Sequence, residues 1–122
     1  MVTNAFQARV REGQVVPVIE LSGDINSTAE EALNLAFNRA SDAGPPALLL
    51  NFAAVTYINS TGIALIVGLL AQARKKRIEL RVSGLSEHYR HIFSITRLSD
   101  FMNIYDDEAS AVADAGSSAS QG

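Results

Sequence analysis

Ala47-Leu48-Leu49-Leu50-Asn51-Phe52, followed shortly by Asn59-Ser60-Thr61-Gly62-Ile63-Ala64-Leu65, is the stretch on which the fold turns. The first segment is a short apolar run with no polar alternate before Asn51, the pattern of a central strand covered on both faces. Ala54 to Ile58 continues it as an apolar link. The second segment opens a helix, because Asn59 or Ser60 can accept from the free amides of a first turn, and the apolar spacing runs on to about Lys76. A doubly buried strand feeding directly into a helix is the repeating unit of a parallel sheet with crossover helices.

Upstream, Phe6 to Val10 alternate weakly, a turn falls at Arg11-Glu12-Gly13-Gln14, and Val15 to Leu21 is rich in β-branched residues. This pattern predicts a hairpin, with Pro17 at an edge or a bulge because it has no amide to donate. Asn26, Ser27 and Thr28 offer caps for a helix in which Leu33, Ala36, Phe37 and Ala40 share one face; Gly44-Pro45-Pro46 stops it. Downstream, Ile78 to Val82 alternates as a strand with one wet face, and Ser86 caps a helix with Tyr89, Ile92, Phe93 and Thr96 on one side. Phe101 to Tyr105 reads as a last short strand and Asp106 to Ala113 as an acidic-start helix. The predicted order is β-β-α-β-α-β-α-β-α, an α/β mixed sheet opened by a β-hairpin, with the helices on one face. One domain is expected over residues 1–115, with a flexible Ser/Gly-rich tail over 116–122.

Composition narrows the function. The chain has 122 residues, 48% of them hydrophobic, with a net charge of −3. That is one domain of ordinary size, acidic enough to disfavour nucleic acid as an electrostatic partner. With no cysteine there is neither a disulfide nor a thiolate metal site. The longest run of apolar residues and glycine, Gly62 to Ala71, is too short to span a bilayer, and Met1 to Arg9 lacks the pattern of a secretory signal. A cytoplasmic protein without direct membrane insertion is expected.

Catalytic signatures are missing. The sequence has no glycine-rich dinucleotide turn, no Gly-Lys-Ser/Thr phosphate loop and no Gly-x-Ser-x-Gly elbow around Ser60. His88 and His91 share a helix but lack further ligands, so they read as a solvated face, and no metal or cofactor is expected. No enzymatic activity is predicted. The helix after Gly62 stands out instead. Ile63, Ala64, Leu65, Ile66, Val67, Leu69, Leu70 and Ala71 make it apolar nearly all round, whereas one sheet face can bury only a stripe. Ile63, Val67 or their neighbours should therefore be partly exposed, as at a partner site.

The strand–Asn-Ser-Thr-Gly–apolar-helix unit resembles the signature of STAS domains, specifically the bacterial anti-sigma factor antagonists. Leu21-Ser22-Gly23-Asp24-Ile25, Leu48 to Phe52 and Gly84-Leu85-Ser86 extend the resemblance from about Phe6 to Ala113. It implies that Ser60 aligns with the phosphorylated serine of the family. The unphosphorylated protein would bind an anti-sigma factor, itself a serine kinase of the histidine-kinase-like ATPase type, and free the sigma factor. A PP2C-type phosphatase would reverse the phosphorylation. The implied partner surface comprises Asp24, Asn26, Ser27, Asn59, Thr61, Gly62, Ile63 and Val67. Asn26 and Asn59 stand where the family usually has aspartate, removing a negative charge from each loop. The alternative is a STAS-fold adaptor of a stress-sensing or lipid-transport assembly, in which Ser60 only caps.

Overall fold

The computed structural model describes residues 5–12 and 15–113. The expected tail over 116–122, and Gly13-Gln14 of the first turn, lie outside the described residues. Five strands form one sheet in the order β1-β2-β3-β4-β5: β1 Gln7–Arg11, β2 Val18–Ile25, β3 Ala47–Ile58, β4 Glu79–Ser83 and β5 Asn103–Tyr105. β1 pairs antiparallel with β2, and every later pair is parallel. The helices are α1 Glu30–Ser41, α2 Ser60–Lys75, α3 Glu87–Ile95 and α4 Glu108–Ala113. The chain thus adopts the element order expected from its patterning.

Neighbouring strands are also consecutive in sequence, so right-handed crossovers that all step the same way place their helices on the same side. Leu33 and Phe37 of α1, Ile66 and Leu69 of α2 and Phe93 of α3 accordingly share one core with Ile19, Leu48, Leu50 and Val82. The expectation of helices on one face holds for α1 to α3 but not for α4, which follows the last strand and returns across the opposite face, where Ala111 packs with Val16, Val18, Ala47 and Leu49. Leu48, Leu49 and Leu50 are all fully buried, as a doubly covered strand requires.

Several local expectations change. Val15 is 79% exposed and lies before β2; Pro17 immediately precedes the strand, where its missing amide costs no ladder bond. Thr96 caps the end of α3 and is exposed instead of sharing the Tyr89 face, because its hydroxyl donates to the Ile92 carbonyl (2.7 Å). The predicted last strand begins as a 3₁₀ turn, Leu98–Phe101, which leaves only three residues to pair. Arg81 was expected on a wet face and is instead 2% exposed beneath α4. Its Nη1 donates to the Ala111 carbonyl (2.6 Å) and its Nε to Glu79 (3.0 Å), so the buried charge is paired.

The link from Ala54 to Ile58 is part of β3, but with different neighbours. Pairing with β4 ends at Asn51–Ser83. There Gly84 takes a left-handed φ of 79° and turns away so close to Ala53 that a Cβ would lie 2.6 Å from its amide nitrogen. Pairing with β2 continues, but the register slips twice, between Glu20 and Ser22 and between Gly23 and Asp24. Each slip sets an extra β3 residue against β2 and bends the strand, as bulges do. Asn51 marks the change of regime. Its amide donates to Glu108 (2.9 Å), and its carbonyl oxygen accepts from the Ala53 amide (2.8 Å).

Candidate functional site

At the end of β3 the backbone of Asn59 is extended, and its side-chain oxygen accepts from the Gly62 amide (2.8 Å). Asn59 is therefore the cap, and α2 begins at Ser60. Of the two caps that the sequence offered, Asn59 and Ser60, the structure uses Asn59. The reason is geometric: an Asn carbonyl reaches the third amide along the chain and leaves the next side chain directed outward. Ser60 and Thr61 are exposed, and neither hydroxyl makes a hydrogen bond among the described residues.

Gly62 fixes where this turn sits. A Cβ at this position would lie 2.1 Å from the Ile25 carbonyl oxygen and 2.9 Å from Cγ2 of Ile58, so no side chain fits without displacing backbone. The Asn59 amide also donates to the Ile25 carbonyl (3.2 Å). These contacts press the first turn of α2 against the end of β2 and bring Asn26 and Ser27 beside Ser60 and Thr61. Asn26 repeats the capping arrangement: its Oδ1 accepts from the Thr28 amide (3.0 Å) and hydroxyl (2.6 Å) at the start of a 3₁₀ turn, Ser27–Ala29, that leads into α1. Two capped helical starts with exposed hydroxyls thus lie side by side at the carboxyl ends of parallel strands.

Asp24 does not join them. Ile25 belongs to the core, so its strand neighbour points to the opposite sheet face, where Asp24 accepts from the Thr56 hydroxyl (2.6 Å). Ile63 is half-buried against the core and Val67 is 43% exposed. The outer face of α2 continues with Ala64, Gly68 and Ala71, all exposed, so it is apolar but shallow. Tyr57, read from sequence only as part of an apolar link, is 55% exposed beside the junction. No sequence signal marked it, because the slips between β2 and β3 decide which way it points. The rim is held from the other side by Tyr89 of α3, whose hydroxyl accepts from the Ile58 amide (2.9 Å).

The charges nearby are mostly acidic, and Arg90 of α3 is paired with Asp106 (2.9 Å). Glu30 and Glu31 lie in the first turn of α1 and Glu87 in the first turn of α3, at the same end of the sheet as Ser60. Segments 53–73 and 84–89 contain no lysine or arginine. Among the described residues no group of three or more His, Asp or Glu is placed to hold a metal ion, and no helix is long and apolar enough to cross a membrane.

A family model described as "STAS domain" matches residues 6–111. The chain belongs to the STAS domain family. Among curated proteins, this STAS domain is 37% identical over 57 residues to an anti-sigma-B factor antagonist of Listeria monocytogenes, covering 47% of this chain and 50% of that protein. It is 27% identical over 86 residues to an anti-sigma-B factor antagonist of Staphylococcus aureus, covering 70% and 80%. The chain thus spans about half the length of the first of these relatives and more of the second. Among solved structures, an anti-sigma factor antagonist from Mycobacterium paratuberculosis superposes with a TM-score of 0.75 at 23% identity, covering 90% of this chain and 96% of that one. At that identity the likeness supports the STAS fold.

Proposed function

We propose that this STAS domain is an anti-sigma factor antagonist switched by phosphorylation of Ser60. The unphosphorylated form binds an anti-sigma factor, a serine kinase of the histidine-kinase-like ATPase type, and so releases a sigma factor in the cytoplasm. A PP2C-type phosphatase returns the phosphorylated form to the active pool. The observation that carries this reading is Ser60 itself, an exposed hydroxyl at the first position of α2 that is not needed to cap it. The names of the curated relatives support the same role.

The electrostatics make a switch workable. Phosphate would move the net charge from −3 to about −5. The helix dipole tolerates an anion at that position, so the fold survives. With acidic first turns on either side and Arg90 of α3 already paired with Asp106, the added charge stays unpaired and must be desolvated when a partner docks. Asn26, Ser27, Thr61, Ile63, Val67 and Tyr57 form the contact surface around it, while Gly62 and Asn59 position it.

The test is incubation with the genomically adjacent ATPase and ATP, with mass spectrometry locating the phosphate. Ser60→Ala should bind the ATPase constitutively and Ser60→Asp weakly. Equal binding by the two, or phosphate found only elsewhere, would replace the switch with a STAS adaptor that has another client.

A further inference from the structure

Arg74-Lys75-Lys76-Arg77 closes α2 at the end opposite Ser60, about 24 Å away at 1.5 Å per helical residue. Among the described residues every arginine outside this run is in an ion pair. Arg9 and Arg11 meet Glu20, Arg39 meets Glu12, Arg81 meets Glu79, Arg90 meets Asp106 and Arg97 meets Asp100. Arg74, Lys75, Lys76 and Arg77 have no such partner and are all exposed. An acidic protein thus leaves four consecutive cations without an ion pair at one pole, although Lys76 is held toward α1, its Nζ donating to the Ser41 hydroxyl (3.1 Å) and lying 5.7 Å from the Phe37 ring.

The helix dipole accounts for part of this, since cations stabilise the last turn, where Arg74 and Lys75 lie. Lys76 is the cap, and Arg77 lies beyond it at φ 60°, a left-handed conformation that makes a bulky residue costly. Helix stability alone gives no reason for a charge there. Beside the cluster is a groove of about 300 Å³, lined by Leu70, Ile78, Met102 and the 53% exposed ring of Phe101, with the Arg74 guanidinium 5.4 Å from the ring centroid.

We propose that this pole and its groove form a second docking surface, which takes an acidic segment of a partner protein. An apolar side chain of that segment fills the groove beside Phe101, and its carboxylates meet Arg74, Lys75 and Arg77. Charge complementarity selects an anion, and the surroundings select a peptide. The groove takes an apolar side chain, which a phosphate backbone lacks, and Asp100 and Glu79 on its wall are already paired with Arg97 and Arg81. The surface is separate from Ser60, so occupation of one end leaves the other accessible.

The probe is a short fluorescein-labelled peptide of glutamates around one leucine, followed by fluorescence anisotropy against the full chain at low salt. Saturable binding is expected, weakened about tenfold or more by Lys75→Glu/Arg77→Glu and by 0.5 M salt. Lys75→Arg/Arg77→Lys should keep wild-type affinity, Phe101→Ser should weaken it, and Ser60→Asp should leave it unchanged. Thermal melts check that each variant is folded; if the double glutamate variant is not, Lys75→Gln/Arg77→Gln decides. The proposal is overturned by absence of saturable binding, or by equal affinity for a probe with glutamine in place of glutamate. It also fails if the charge-reversed variant loses melting temperature but not affinity, which would leave the cluster a dipole device. Tighter binding of poly(U) RNA or phosphatidylserine vesicles through the same residues would likewise overturn it.

Discussion

The two halves of β3 behave as different materials. Over Ala47 to Phe52 the strand is paired with β4 as far as Asn51 and with β2 from Leu49, and it has helices on both faces and every residue but Asn51 buried. Over Ala53 to Ile58 it keeps only β2, is bulged twice, and turns Tyr57 to solvent. The contrast shows how one strand can anchor a core and present a surface. Full pairing immobilises the first half, and loss of β4 frees the second to end in a capped helix whose first hydroxyl is spare. Stability should therefore respond to substitution in the first half, and partner binding to substitution at the end of the second.

The largest effect expected is Leu50→Ala, which empties a fully buried position and should cost about 2–5 kcal/mol in urea denaturation. A loss under 1 kcal/mol would break the contrast at its strongest point. Gly62→Ala is the exception at the far end. Its new methyl collides with the Ile25 carbonyl, so about 1–3 kcal/mol should be lost by the same measurement. A neutral result would mean that the junction is looser than its contacts.

Asn59→Ala and Ser60→Ala separate the cap from the spare hydroxyl. The first should cost about 1 kcal/mol, whereas the second should stay within about 0.5 kcal/mol of wild type. Equal losses would return the capping role to Ser60. Tyr57→Ser should likewise leave the melting temperature nearly unchanged while weakening binding to the ATPase.

The smallest effect concerns the support of the first half. Arg11, hydrogen-bonded to Glu108 at 2.5 Å, holds that carboxyl below the usual carboxylate range; burial opposes this, and Asn51 adds to it. A carboxyl depressed in the folded state stabilises above its unfolded value and loses that stability as pH falls through the folded value. Wild-type stability should thus decline on the acid side of the ordinary carboxylate range, and Glu108→Gln should show a shallower decline in urea melts across that range. Identical pH profiles would show that α4 is held chiefly by Arg81 and Ala111.

Much of this molecule was determined by sequence alone. The apolar run at Leu48-Leu49-Leu50, the period of Leu33, Ala36 and Phe37, and Asn, Ser or Thr before each of the first three helices set the element order. Such local signals survive in any environment, because amide capping and hydrophobic period act within a few residues. The tertiary structure decided three things. It chose Asn59 over Ser60 as the cap, since only the pressed turn at Gly62 and Ile25 sets which oxygen reaches which amide. It buried Arg81, because α4 returns across a face that the strand pattern marked as wet. It turned Tyr57 outward through two slips in register, and register belongs to a pair of strands far apart in the chain, so neither strand encodes it by itself.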